Sequence, residues 1–166
     1  MESLSPPNQD TLLPYTILDL SEGGHNLCGR LLGDMGAKVI RIEPPGGSPT
    51  RLRGPFTPDS NGNDKSLYWA AYNSNKKGIS LSLDTEAGRQ ILLSLVEQSD
   101  AILESFQPGY LDSLNIGFRT FIKRNPQLVH TSMTPFGSTG PYAGFVSTDL
   151  ITSSMGGMPF VSGDQD

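Results

Sequence analysis

Seven of the twelve lysines and arginines fall between positions 38 and 77, as Lys38, Arg41, Arg51, Arg53, Lys65, Lys76 and Lys77. The chain as a whole carries a net charge of −5, so this segment is a cationic island in an acidic protein. Such an island suits a small polyanion such as a nucleotide, and a solvated basic loop is the other reading of the same composition. General nucleic-acid binding is not expected at this charge balance. The segment Ser21-Glu22-Gly23-Gly24-His25 follows an apolar run, and Glu43 ends the next one, the place where a dinucleotide site would put an acid on a ribose. The glycines do not follow GxGxxG, however, which sets them so that the backbone can approach a pyrophosphate, and Lys76-Lys77-Gly78 has the wrong order for a GxxxxGK[ST] loop. An NAD-binding oxidoreductase is therefore disfavoured.

Other chemistry is thinly supplied. His25 and His130 are far apart and Cys28 is the single cysteine, so no metal-ligand spacing exists and no metal is expected. No GxSxG elbow marks a serine nucleophile. One cysteine also excludes an internal disulfide and points to a reducing, cytoplasmic setting. With 166 residues, 36% of them hydrophobic and 17% charged, the chain has the size and composition of one domain with a real core. No apolar run is long enough to span a bilayer, and no membrane association is expected. Residues 1–14 lack the pattern of a signal peptide and read as a polar, partly disordered lead-in to a domain over 15–166.

The elements that must position these residues follow from apolar period and turn residues. Thr16 to Leu20 reads as a strand, Asn26 to Met35 as a helix with Asn26 as its cap and Leu27, Leu31, Leu32 and Met35 on one face, and Lys38 to Glu43 as the next strand. Gly36 suits the left-handed stop between them. The stretch from Pro44 to Lys77 is irregular and too long for an idle loop, and Tyr68 to Tyr72 within it predicts a helical turn packed on the sheet. Strands are predicted over 79–83, 101–103 and 128–133. Helices are predicted over 85–98, capped by Asp84 or Thr85, and over 108–114, 118–123 and 148–157. A glycine-rich loop, Phe136 to Pro141, follows the last strand. This alternation predicts an α/β fold with a mostly parallel sheet flanked by helices. Ligands of such sheets bind beyond the carboxyl ends of the strands, which points to the loops opening at Ser21, Pro44, Glu104 and Thr134.

Those loops carry a resemblance. Ile17-Leu18-Asp19-Leu20-Ser21, Leu32 to Gly47, Pro49-Thr50-Arg51, Asn73 to Leu81, Glu104-Ser105-Phe106-Gln107-Pro108-Gly109, Asn125-Pro126 and Phe136-Gly137-Ser138-Thr139-Gly140-Pro141-Tyr142 stand in one order along the chain. Together these seven segments resemble the class III CoA-transferases, the group that includes formyl-CoA and carnitine CoA-transferases and the related α-methylacyl-CoA racemases. The resemblance implies a Rossmann-like large domain, of which this chain is the N-terminal part, in a longer protein that interlocks as a homodimer.

The resemblance also implies a chemistry. An aspartate carboxylate attacks the acyl-CoA thioester, the CoA thiolate leaves and then attacks the anhydride, and the aspartyl-CoA so formed passes CoA to an incoming carboxylic acid. CoA is then a substrate, and no tightly bound cofactor is expected. Ser162-Gly163-Asp164-Gln165-Asp166 matches the segment that holds the nucleophile, which makes Asp166 the first candidate and a plain surface turn the alternative. Asp149 is the second candidate, at the position of the aspartate in the racemases' His-Asp pair; Thr148 replaces that histidine, and capping of the next helix is the competing role. CoA contacts carry over onto Gly24 and His25, onto Leu81, Ser82, Leu83 and Asp84, onto Ser105, Phe106 and Gln107, and onto Thr134, Pro135, Phe136 and Gly137. Ser113 stands where relatives often have a base, so Arg51, Lys76 and Lys77 are the expected charge-assisted donors to phosphate. A non-catalytic CoA-binding or assembly module is the alternative to the enzyme.

Overall fold

A computed structural model describes residues 11–58 and 64–162. Its strands are β1 (Thr16–Leu20), β2 (Lys38–Glu43), β3 (Phe56–Pro58), β4 (Asp64–Ser66), β5 (Lys77–Ser80), β6 (Ala101–Glu104) and β7 (Val129–Ser132). Its helices are α1 (Asn26–Asp34), α2 (Leu67–Asn73), α3 (Glu86–Val96), α4 (Tyr110–Ser113), α5 (Phe118–Arg124), α6 (Asp149–Met155) and α7 (Met158–Val161). Five strands form one parallel sheet in the order β5-β2-β1-β6-β7, while β3 and β4 make a separate antiparallel pair. The predicted α/β class holds.

Period-two alternation decides what each face of the sheet receives. Leu18, Leu20, Ile42 and Ile102 point to one face and join Leu92, Leu93 and Val96 of α3, Leu111 of α4 and Phe121 of α5 in the larger core. Ile17, Val39 and Leu103 point to the other face, where a smaller cluster includes Ala37 and packs on Cys28 and Leu32 of α1. Asp19 and Arg41 share this second face, so the sequence alternation itself directs two charges under α1.

That explains where α1 departs from its pattern. Leu27, Leu31 and Met35, expected to face the core, are 45%, 52% and 43% exposed. The buried positions of the helix are Asn26 and Gly29. A Cβ on Gly29 would lie 2.4 Å from Asp19 Oδ2, so only glycine lets the helix backbone lie over the buried carboxylate. Asn26 is not the cap either. A 3-10 turn, Gly23–His25, leads into the helix, and the Asn26 amide donates inward to the carbonyls of Ser21 and Gly23.

Other boundaries shift for local reasons. The long stretch after β2 contains the β3–β4 hairpin, a 3-10 turn at Pro49–Leu52 and α2. The helix predicted around Tyr68 to Tyr72 exists but packs on α1 and that 3-10 turn rather than on the sheet. β5 begins two residues earlier than expected and ends at Ser80, because its partner β2 stops at Glu43; Leu81 makes one last bond to the Glu43 carbonyl and the chain turns away. Leu81 to Asp84 thus become a loop at the strand's carboxyl end. Thr85, one of the two expected caps, accepts from the Gly88 N–H to start α3. Residues 11–14, expected within the lead-in, form a turn whose Leu12 N–H donates to the Met35 carbonyl. Among the described residues no helix is long and apolar enough to cross a membrane.

A Cβ on Gly88 would lie 1.8 Å from the Ser82 carbonyl oxygen. Alanine is the better helix former by about 1 kcal/mol, but here the Ser82 backbone would have to move. Gly88→Ala is therefore expected to destabilise by about 1–3 kcal/mol, read as a fall of several degrees in the melting temperature.

Candidate active site

Six charged side chains meet where β1 and β2 end. Asp19 is fully buried, and its Oδ1 accepts from the Ser21 N–H at 2.9 Å and the Ser21 hydroxyl at 2.5 Å. Its Oδ2 accepts from Lys76 Nζ at 2.7 Å, and Lys76 also donates to the Asn26 carbonyl at 2.8 Å. Arg41, buried beside it, donates to the carbonyl of Ser21 and reaches Glu22 Oε1 at 2.6 Å. Glu22 Oε2 accepts from the Ser48 hydroxyl at 2.6 Å, and the Ser48 N–H donates to Glu43 Oε2 at 2.8 Å. Arg51 closes the chain with a two-pronged grip on Glu43, at 2.6 and 2.8 Å, while its guanidinium lies 3.7 Å over the Trp69 ring. Three carboxylates face three cations, so the cluster is neutral and its lone pairs are largely satisfied, the condition under which buried charge is tolerated.

The network holds the rim of a cleft. Its volume is about 270 Å³, and it lies between the carboxyl ends of β1, β2, β5 and β6, walled by Glu22, Glu43, Pro44, Leu81 to Asp84, Phe106 and Tyr110. β1 lies between β2 and β6; the connection after β1 runs to β2 on one side and the connection after β6 runs to β7 on the other, so the adjacent ends of β1 and β6 form the switch point where open parallel sheets bind ligands. The Ser105 hydroxyl accepts from the Glu22 N–H at 2.8 Å and ties the two diverging loops together. Arg89 of α3 donates to the carbonyls of Leu83 and Asp84, at 2.9 and 3.1 Å, and so braces the opposite wall. Phe106 and Tyr110 pack with their rings tilted at 34°, 4.8 Å between centroids.

The residues singled out in the sequence divide into groups. Leu81, Ser82, Leu83, Asp84 and Phe106 come together in the cleft. Ser105 lies behind it as a strut, and Gln107 lines a neighbouring cavity with His130. Gly24 and His25 are exposed in the turn after β1, outside the cleft lining. Thr134, Pro135, Phe136 and Gly137 leave the end of β7; Phe136 packs with Tyr142 and Phe145 there. Asp149 is exposed in the first turn of α6 and is not its cap, because the preceding Thr148 hydroxyl accepts from the Ile151 N–H instead. Asp166 lies outside the described residues. Lys76 is the clear correction: its side chain is 1% exposed and its ammonium is spent on Asp19, so it offers no free donor to a phosphate. Arg51 remains partly exposed although paired, and Lys77 is exposed at the start of β5. Missed from sequence were Glu22, Arg41, Arg89 and Tyr110, whose roles arise from contacts between elements distant in the chain. Among the described residues no cluster of His, Cys, Asp and Glu could hold a metal ion.

Burial alone would raise the Glu43 carboxyl, but the Arg51 hydrogen bonds, the Ser48 N–H and the nearby Arg51 and Arg41 charges outweigh it and hold it below the ordinary glutamate range. Its ionisation therefore adds stability above the unfolded carboxyl's range, and that contribution is lost as pH falls through the lower folded value. Arg51→Gln is expected to move acid unfolding to higher pH, seen in a fluorescence titration of Trp69. Burial likewise lowers Lys76 below its usual value, against the pull of Asp19. Lys76→Met strands the Asp19 carboxylate and is expected to destabilise by about 3–5 kcal/mol, with part regained in Asp19→Asn/Lys76→Met; denaturant unfolding of the three variants is the measurement.

Comparison with known proteins agrees with this geometry. The chain is 35% identical over 149 residues to a subunit of the succinyl-CoA:(R)-benzylsuccinate CoA-transferase of Thauera aromatica, covering 90% of this chain and 36% of that protein. It is 39% identical over 137 residues to the acetyl-CoA:oxalate CoA-transferase of Acetobacter aceti, covering 82% of this chain and 34% of the relative. The chain thus spans little more than a third of the length of these relatives. Among solved structures, a CAIB/BAIF family protein from Brucella suis superposes with a TM-score of 0.86 at 34% identity, over 92% of this chain and 41% of that one. Residues 15–166 match the profile of CoA-transferase family III, and the chain belongs to that family.

Proposed function

We propose that the complete protein containing this chain transfers coenzyme A from an acyl-CoA to a carboxylic acid through an aspartyl-CoA intermediate, and that this chain supplies the CoA-binding part of its large domain. The observation that carries the reading is the switch-point cleft, whose walls are the very segments, Leu81 to Asp84 and Phe106, that the family resemblance assigns to CoA. Its surface is mostly aliphatic and aromatic, with carboxylates at the rim. Such a lining suits the flat heteroaromatic ring and the amide-bearing arm of CoA, with Glu22 and Glu43 placed to accept from amino or hydroxyl groups. Phosphates would lie outside this acidic rim, where Arg51 is the partly exposed cation beside Glu43 at the end of β2; Lys77 stands at the opposite, amino end of β5.

A carboxylate is a weak nucleophile, so holding it beside the bound thioester must supply much of the rate, up to about 7–11 kcal/mol in favourable cases. Bonds and charges balance at each step: the carboxylate oxygen bonds to the acyl carbon as the thiolate leaves, and the thiolate then bonds to the aspartyl carbon as the acyl carboxylate leaves. Asp166 is the proposed nucleophile. Asp149 is assigned to the first turn of α6, where its charge favours the helix start. The complete protein is proposed to work as a homodimer.

Two measurements test this. Incubating the complete protein with acyl-CoA and hydroxylamine should convert one aspartate to its hydroxamate, found by peptide mass spectrometry at Asp166; Asp166→Asn should abolish exchange while Asp149→Asn retains it. A hydroxamate elsewhere moves the nucleophile, and none at all removes the mechanism. Phe106→Ala should raise KM for acyl-CoA about tenfold with little change in kcat, the scale of losing one ring stacked on a base.

A further inference from the structure

Phe106 is a wall with two sides. One side lines the cleft, and the other lines a separate cavity of about 340 Å³ formed by Glu104, Gln107, Asp112, Phe118, His130 and Ser132 together with their neighbours. In the register of β6 on β7, Ile102 lies opposite His130 and Glu104 opposite Ser132. All four therefore point to the face covered by α5, and the Glu104 carboxylate is one rung along from the imidazole.

We propose that His130 is a positioning residue for the acyl-CoA cleft, acting through Glu104 on the Ser105-Phe106-Gln107 turn. Glu104 is buried, and its Oε2 accepts from the Phe106 N–H at 2.7 Å, which fixes the backbone from which the wall ring projects. His130 Nε2 is buried 3.5 Å from Glu104 Oε1 and has no closer partner. The imidazole is held in place by Phe118, stacked at 5.8 Å, and by the edge of Phe121 at 5.6 Å. A proton on this ring acts mainly on Glu104. The charged and titratable groups that line the cavity with it are Glu104 from β6 and Asp112 from α4, and α5 presents the rings of Phe118 and Phe121. The imidazolium adds a charge-assisted donor to Glu104 and tightens the turn; the neutral ring leaves a weak contact. Burial would raise the Glu104 carboxyl, yet His130, Ser132 and the Phe106 N–H together hold it below the usual range, so it stays ionised to receive that donor.

This inference rests on acyl-CoA occupying the cleft, so the test reads the link both with and without catalysis. In the complete protein, His130→Phe keeps an aromatic ring and removes its nitrogens, and His130→Gln keeps a donor without a titration. KM for acyl-CoA and kcat are measured for all three proteins from about pH 5.5 to about pH 8.5. The expected result is a KM raised roughly 3- to 10-fold in His130→Phe at the acid end, the scale of one modest hydrogen bond. The ratio to wild type should shrink toward the alkaline end, with kcat unchanged. Titration of the substrate's own phosphates is common to all three and cancels in the ratio. In parallel, hydrogen exchange of the peptide containing Phe106 should show its amide better protected in wild type than in His130→Phe at acid pH, and alike at alkaline pH. A KM ratio flat with pH, or equal Phe106 protection throughout, overturns the proposal and leaves His130 as packing. If wild type transfers no CoA, the functional reading falls, and the exchange measurement still decides whether His130 holds the turn. Should His130→Phe fail to fold, His130→Gln decides by the same criteria, since its effect must lose the wild type's pH dependence.

Discussion

The buried Asp19 carboxylate is the constraint around which this end of the molecule is arranged. A charge with no exposure must be matched by cations and hydrogen bonds, and every match recruits a different element. Lys76 comes from the turn just before β5, Arg41 from β2 and Ser21 from the turn after β1. Gly29 of α1 supplies the space, since any side chain there meets Asp19. Because a half-satisfied network is worse than none, these residues stand or fall together. Arg41 then passes the order outward to Glu22, Ser48 and Glu43.

The outward end of that chain is the rim of the cleft. Loops after parallel strands are free to diverge, and each here is instead pinned by a specific bond. Ser105 holds Glu22, Arg89 holds Leu83 and Asp84, and Glu104 holds Phe106. A site built this way is held in place by specific hydrogen bonds although its walls are loops. It also joins the two sides of the sheet: the charges lie under α1, whereas Glu104 and His130 lie under α5.

Much of this was legible in the residues. The apolar runs located every strand of the main sheet, and Gly36 and Thr85 marked a helix stop and a helix start as turn chemistry requires. Four of the loops anticipated at strand ends are the loops that surround the cleft and its neighbour. The errors around α1 share one cause. Leu27, Leu31 and Met35 form a good amphipathic face, yet the helix turns its glycine side inward because a buried carboxylate lies beneath it, beside a small apolar cluster that takes only Cys28 and Leu32 from this helix. Lys76 reads as a surface lysine in Asn75-Lys76-Lys77, and nothing local says that its ammonium ends beneath α1.

Local sequence alone determined the class of fold, the order of strands and helices, the family and the segments that line the cleft, because period, turn residues and short motifs are properties of neighbouring positions. Only the tertiary structure decided which charges are spent internally and which remain for a ligand, that Glu22 and Arg41 belong to the rim, and that His130 stands behind Phe106. Those outcomes depend on the parallel register of β1 with β2 and β6, and of β6 with β7. Register sets which side chains share a face and at what distance, and the strength of an ion pair or hydrogen bond follows that distance rather than the separation along the chain.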